Sequence, residues 1–451
     1  VEECSLGYQI MCCGGIMPFY EFEQIPGIDK LSRVCDDGLA SKQLGSVCSQ
    51  LEKKQALCEM FAACGWDVTP MELKNLAESM YVNGVNLMCQ HLLPFTEHGQ
   101  RKRDNPVHFS AINPWVDKGF KYFNDYFSVL GKILSESREI VNVGVLNPIT
   151  SCYFDYKRDP EPSFCVENIE KPYMEFLQKL TKMQIPHHII DEIILAKHGS
   201  VRNSSLQVGV CRYDYLIIPK IYTMDKSTDK ILREYISNGG KILLLDEAPS
   251  YLEGEEFVYD YLKSNITLDD IKNAQSVKSK YHDTIRLSHR LDDSGREFYY
   301  LVNVGGETDF ELCADGITFF ESYDICNDKF EVVSGKLHFN KGDSYLLYVT
   351  HKKPKTEKIL EKFYLNKDFE IVESIENFLT IDFLSYSFDG VFFSEKLHHM
   401  GVFNEMLEKR YNGTLYLKYE FNVKTLPKNC SLLIENSNLN EVKEFLKKNN
   451  K

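Results

Sequence analysis

The stretch Gln55-Ala56-Leu57-Cys58-Glu59-Met60-Phe61 sets one carboxylate inside an apolar run, directly before a Cys64-Gly65-Trp66-Asp67 loop. Read as a strand of a β/α unit, it buries a charge, which is unfavourable unless that charge is used or paired. At the carboxyl end of a parallel barrel strand such a group faces the mouth where substrates bind, and there Glu59 suits a nucleophile or a general base. A salt bridge to Lys53 or Arg101 explains the same pattern equally well. The run Asn86-Leu87-Met88-Cys89-Gln90-His91 brings Gln90 or His91 to the exit of the next strand, where an imidazole can hydrogen-bond a sugar hydroxyl, although a histidine held by its own loop is the more common outcome. Upstream, Tyr20, Glu21 and Glu23 precede the turn Pro26-Gly27-Ile28-Asp29 and offer an aromatic face and carboxylates of the kind that line sugar pockets. Loop surface is the commoner fate of such residues. Trp66 can stack on a sugar ring or plug the core, and the Arg101 to Arg103 cluster either balances carboxylates or is simply solvated.

These residues need elements to hold them. Over residues 1–138 short apolar strands alternate with amphipathic helices, the rhythm of β/α units. Strands are expected at Gln9 to Cys13, Gln55 to Phe61 and Val85 to Cys89, with helices from Ser41 to Lys53 and after a Thr69 cap with Pro70 at its first position. Residues 139–270 read as a doubly wound, flavodoxin-like α/β domain, with strands at Val141 to Leu146, Tyr215 to Ile218 and Lys241 to Leu245, and Gly239-Gly240 as a helix stop. Residues 271–352 change to period-two runs such as Glu297 to Val302 and Ser344 to Val349, which predict a β-sandwich. Residues 353–451 are strand-rich but too short to close a sandwich of their own. The fold class expected is therefore α/β followed by all-β.

Composition narrows the functions. In 451 residues with a net charge of −14, acidic and basic side chains are mixed along the chain, which gives no electrostatic footprint for nucleic acid or an anionic membrane. No apolar run reaches the length of a membrane span. The fourteen cysteines are scattered through apolar stretches, as reduced core-filling thiols are, and a cytoplasmic location follows as the default expectation. The chain opens on Val1 and enters structured-looking sequence at once, so a longer reading frame is expected. Cys12-Cys13 and His187-His188 lack metal-ligand spacing, and Asn147-Pro148-Ile149 stands where a nucleotide-binding domain has its glycines, so no cofactor and no metal ligand follows from the residues themselves.

Taken together, Pro26 to Asp29, Glu59-Met60-Phe61 with Gly65-Trp66, and Gly84 to His91 resemble the catalytic barrel of large bacterial glycoside hydrolases, most of all the α-L-rhamnosidases of family 106 and their relatives. The resemblance implies a partial TIM (β/α)8 barrel whose sixth, seventh and eighth strands lie here. It implies a following α/β domain similar to that of family 42 β-galactosidases, and an opening galactose-binding-like jelly roll carried by Leu379 to Asp382, Tyr386 to Gly390 and Gly413 to Phe421. It further implies a carbohydrate substrate, Glu59 as base or nucleophile, and His91, Gln90, Asp29, Trp66, Glu21 and Tyr20 around the sugar. The partner acid of similar barrels lies near the fourth strand, upstream of these residues. Calcium near the substrate is also implied, with its ligands unassigned. A β-galactosidase-like retaining hydrolase and a non-catalytic carbohydrate-binding or scaffold protein are the alternatives, and oligomeric state is not legible.

Overall fold

A computed structural model describes residues 5–35, 38–96, 105–110, 113, 115–156, 166–317, 319–353 and 381–422. The chain divides into two compact units, residues 1–93 with 105–367, and residues 94–104 with 368–451.

The first unit is a mixed α/β assembly of several sheets. Strands β1 (Gly27–Lys30), β2 (Leu57–Met60) and β3 (Leu87–Gln90) form a parallel sheet in chain order, with Asp29, Glu59 and Cys89 opposite one another. This sheet does not close into a barrel among the described residues. Helices α1 (Leu6–Cys12) and α2 (Met17–Tyr20) precede it, α3 (Leu39–Gln50) and α4 (Pro70–Tyr81) connect its strands, and α5 (Val116–Ser135) follows. The start of α4 is written locally: the Thr69 hydroxyl accepts from Glu72 N, the Glu72 carboxylate accepts from Thr69 N, and Pro70 opens the first turn. Leu73, Leu76, Ala77 and Met80 then recur at helical spacing and are buried.

The expected strand at Gln9 to Cys13 is instead part of α1. A short apolar run is ambiguous between strand and helix. The Ser5 side chain resolves it by accepting from Tyr8 N, and Gln9 turns inward to donate to Gln43 on α3 at 2.8 Å.

A short strand β4 (Ser137–Glu139) leads into a second parallel sheet. This runs Lys241–Leu244, Tyr215–Ile218, β5 (Val143–Leu146), β6 (His188–Ile190), which in chain order from β6 is 2-1-3-4, the flavodoxin-like arrangement. All of β5, β6 and Tyr215–Ile218 is buried. The helix Lys226–Ser237 stops where Gly239 takes φ +82° and Gly240 N bonds Tyr235 O, a left-handed cap open to glycine at no steric cost.

The third layer is a six-stranded sheet, in order Lys329–Ser334, Phe319–Asp324, Ser344–Val349, Glu297–Asn303, Ile285–Asp292 and β4, with the antiparallel pair Thr308–Glu311/Lys336–Phe339 contributing to its core. Its central strand Glu297–Asn303 is covered on both sides: Tyr299 and Leu301 join the core of Phe310, Leu337 and Phe339, whereas Phe298, Tyr300 and Val302 join the large core shared with the helices.

Two buried acids fasten these layers. Glu139 on β4 lies 2.7 Å from His188 Nε2, 3.4 Å from Arg290 and 3.9 Å from Lys42, so it joins both β/α layers to the six-stranded sheet. Burial would raise its carboxyl, but Lys42, the His188 bond and Arg290 hold it well below the usual carboxylate range. The neutral His188 that fits this arrangement donates from Nε2 to Glu139 and accepts at Nδ1 from Tyr213 Oη (2.9 Å). Glu78 on α4 accepts from Lys74 at 2.7 Å, from Ser344 at 2.6 Å and from the Tyr126 hydroxyl on α5.

The described part of the second unit contains the antiparallel strands Phe383–Ser387, Leu397–His398 and Tyr416–Lys418 and the helix His399–Glu408, around a small core of Leu384, Tyr386 and Val402. Leu379 and Thr380 lie outside the described residues. Among the described residues no helix is long and apolar enough to cross a membrane.

Candidate active site

Alternation along β1 to β3 sorts the side chains into two sets. Ile28, Cys58 and Met60 are buried on the helix side, and Gln90 belongs to the same set, donating to Asn124 on α5 at 2.7 Å. The opposite face carries Gly27, Asp29, Leu57, Glu59, Leu87 and Cys89, all half-buried except the exposed Cys89. The sequence brings Gln90 or His91 to the strand exit; the structure separates the two. Gln90 is turned to a helix, and by alternation His91 falls on the Glu59 side.

Glu59 is thus a half-buried carboxylate on the central strand, one residue from its C-terminal end. Among the described residues its carboxylate has no hydrogen bond or ion pair. Lys53, one of the two cations that might have neutralised it, instead donates to Glu21 O (3.0 Å) and Glu23 O (2.8 Å), and Arg101 lies outside the described residues. Asp29 is its in-register neighbour on β1 and Cys89 on β3. Burial pushes the Cys89 thiol up, and the Glu59 and Asp29 carboxylates push it further, which places all three side chains in one electrostatic neighbourhood. Cys89 was missed as a site residue, since a thiol in an apolar run reads as core; only the register of three strands exposes it.

The strand ends are held firmly. His91 N donates to Met60 O at 2.9 Å, continuing the ladder beyond β3, and its buried Nδ1 has no partner among the described residues. Ser32, just past β1, and Phe61 and Ala63, just past β2, take φ of +64°, +86° and +58°, a conformation that costs about 1–3 kcal/mol for a side-chain-bearing residue and gathers at functional loops. Phe61 is kept there by packing against Phe109 and Phe123, with ring centroids 5.7 and 5.9 Å away.

The other expected residues lie elsewhere. Tyr20 is wholly buried and offers no ring face to solvent. Glu21 receives bonds from Lys197 (2.8 Å) and His198 (3.0 Å); burial works against ionisation, but those two partners hold its carboxyl below the ordinary range. Trp66 is half-buried against the core, edge-on to His108 with centroids 5.1 Å apart, and its Nε1 has no partner among the described residues. Calcium takes six to eight oxygen ligands, and Asp29 and Glu59 beside a thiol do not offer that set. One group of three among the described residues has ion-binding geometry, Asp382, His398 and His399 in the second unit.

Comparison with known proteins agrees with this architecture. The fold matches a rhamnosidase from Novosphingobium sp. PP1Y (TM-score 0.53, 15% identity, 85% of this chain and 39% of that one). It matches a cold-adapted β-galactosidase from Rahnella sp. R3 (TM-score 0.52, 10% identity, 74% and 61%) and a GH42 exo-carrageenase from Bacteroides ovatus (TM-score 0.50, 14% identity, 68% and 43%). The chain has a glycoside hydrolase-like fold. It spans from about two fifths to about three fifths of the length of these glycoside hydrolases. No family model and no curated protein matches its sequence.

Proposed function

We propose that this glycoside hydrolase-like chain carries part of the active site of an enzyme that removes a terminal sugar from a glycan, with an α-L-rhamnoside as the first substrate to test and a β-galactoside as the second. In this reading β1, β2 and β3 are the sixth to eighth strands of a (β/α)8 barrel, and their helix-free face is the barrel interior. Glu59 is the nucleophile, or the base that activates water. Asp29 and His91 hold sugar hydroxyls. The observation that carries the proposal is a half-buried carboxylate near the carboxyl end of the central strand with no partner among the described residues. The deeply buried acids Glu78 and Glu139 are, by contrast, fully paired.

Glycosidic cleavage uses two carboxyl groups on opposite sides of the scissile bond, about 5–5.5 Å apart in retaining and about 6.5–9.5 Å in inverting enzymes. Asp29 stands beside Glu59 on the same face, one strand away, at a strand spacing of about 4.8 Å. That placement suits hydroxyl binding better than protonation from the far side. Glu21 is committed to Lys197 and His198. The proton donor is therefore assigned to another part of the whole enzyme. Substrate choice is tested by comparing p-nitrophenyl α-L-rhamnoside with p-nitrophenyl β-D-galactoside. The phenolate departs without protonation, so turnover of an aryl glycoside reports the Glu59 step on its own. Faster turnover of the rhamnoside is expected; sugar binding with no turnover of either would make the protein a carbohydrate-binding one.

A further inference from the structure

In the second unit Asp382, His398 and His399 each present one donor atom, and the three atoms lie within 4.8 Å of one another. We infer that they form a binding site for a divalent transition-metal ion of the zinc class. The backbone sets the site up. Phe383 pairs with His398 in an antiparallel ladder, which brings Asp382 opposite His399, and His399 N donates to Asp382 O at 2.9 Å. Successive residues of a strand project to opposite faces. Here the chain turns into the helix His399–Glu408 at the second histidine, and the two imidazoles come together with centroids 4.4 Å apart, inclined by 49°. All three side chains are short and stiff, so few rotatable bonds must be frozen for them to converge.

The donors select the ion. Two imidazole nitrogens and one carboxylate oxygen match zinc and its neighbours, whereas calcium and magnesium require oxygen-rich shells. Tetrahedral donors at about 2.1 Å from zinc lie about 3.4 Å from each other, and donors within 4.8 Å of one another stand near that geometry. Both His399 ring nitrogens are shielded from solvent, so an ion held there would be screened from bulk water on that side. The Asp382 carboxylate offsets the charge of an ion placed at that helix end. Three protein donors leave the fourth position to water. Such an ion would clamp the strand Phe383–Ser387 to the helix in a unit whose described core is only Leu384, Tyr386 and Val402, and would stabilise it by mass action.

The experiment uses the full chain, freed of metal with a chelator and titrated with ZnCl2, in parallel with Co2+ followed by visible absorption. One zinc per chain is expected, with the absorption of tetrahedral Co2+. The Asp382→Asn and His398→Gln variants should bind at least about 10-fold more weakly, and the double variant His398→Gln/His399→Gln should lose the Co2+ bands with an unchanged far-ultraviolet circular dichroism spectrum. His338→Asn, in the first unit beside Glu307 and Asp309, should bind as the parent does. Absence of stoichiometric zinc in the parent overturns the assignment, as does zinc binding that survives in the double variant. The parent's Co2+ spectrum needs no substitution: lack of tetrahedral bands overturns the site even where a variant fails to fold.

Discussion

The two parallel sheets of the first unit are built from the same β/α rhythm and end differently. Strands β5, β6 and Tyr215–Ile218 are buried at every position, whereas β2 alternates half-buried with buried residues, β1 has one buried residue and β3 has none. A parallel strand buried on both faces reads as a continuous apolar run; one that alternates has a face that its own chain does not cover. The acids follow the same division. At the carboxyl end of β6, Asp191 caps the following helix through Ile193 N (2.9 Å) and Ile194 N (3.4 Å), and Asn147 at the end of β5 donates to it at 3.4 Å. The carboxyl edge of an open α/β sheet is where ligands bind, and this stretch of it is used for structure. On the alternating sheet Glu59 stays unpartnered among the described residues. The same parallel β/α construction thus yields a scaffold in one layer and a candidate site in the other, and the pattern of burial along the strands marks the difference.

If that division is right, removing acids from the covered layers costs stability and removing Glu59 does not. The largest effect is expected from Glu139→Ala, which leaves Arg290 and Lys42 without their buried counter-charge and should cost about 3–5 kcal/mol in chemical denaturation. Next comes acid sensitivity centred on His187. Burial is the main cause that pushes this imidazole down to about 3, with Lys42 adding to it. An unfolded histidine titrates near 6.5, so between those values only the unfolded chain binds the proton. The stabilisation is complete above about pH 6.5 and falls as the pH is lowered, by about 2–3 kcal/mol between pH 7 and 4.5; His187→Leu should flatten that part of a stability–pH profile. Asp191→Ala removes a helix cap and should cost about 1–2 kcal/mol. Glu59→Gln should change stability by no more than about 0.5 kcal/mol. A loss of several kcal/mol at Glu59 would erase the contrast between the sheets.

Much of this was legible where the signal is local. Thr69-Pro70 with Glu72 announces α4, Gly239-Gly240 announces the end of a helix, and one acid in an apolar run announces Glu59. What was hidden depends on distant partners. Whether Gln9 belongs to a strand or a helix is decided by Ser5 and by Gln43 on another helix. Glu21 looks like a pocket residue until Lys197 and His198, more than 170 positions away, close on it. The residues Ser137–Glu139 fall at the junction expected between two domains, and their pairing with Ile285–Asp292 across some 150 residues has no sequence signature. Gln90 and His91 are adjacent, so no spacing rule tells which one leaves the helix side; Asn124 does. Asp382 and the His398-His399 pair are joined only by strand register.

The most direct test of the account is the hydrolysis of an aryl α-L-rhamnoside or β-galactoside by the natural protein and by its Glu59→Gln variant, with folding checked in both. The account predicts that kcat/KM falls by about 1000-fold or more, a loss of about 4 kcal/mol in transition-state stabilisation, while the denaturation midpoint stays in place. Hydrolysis by the variant at the parental rate would contradict it.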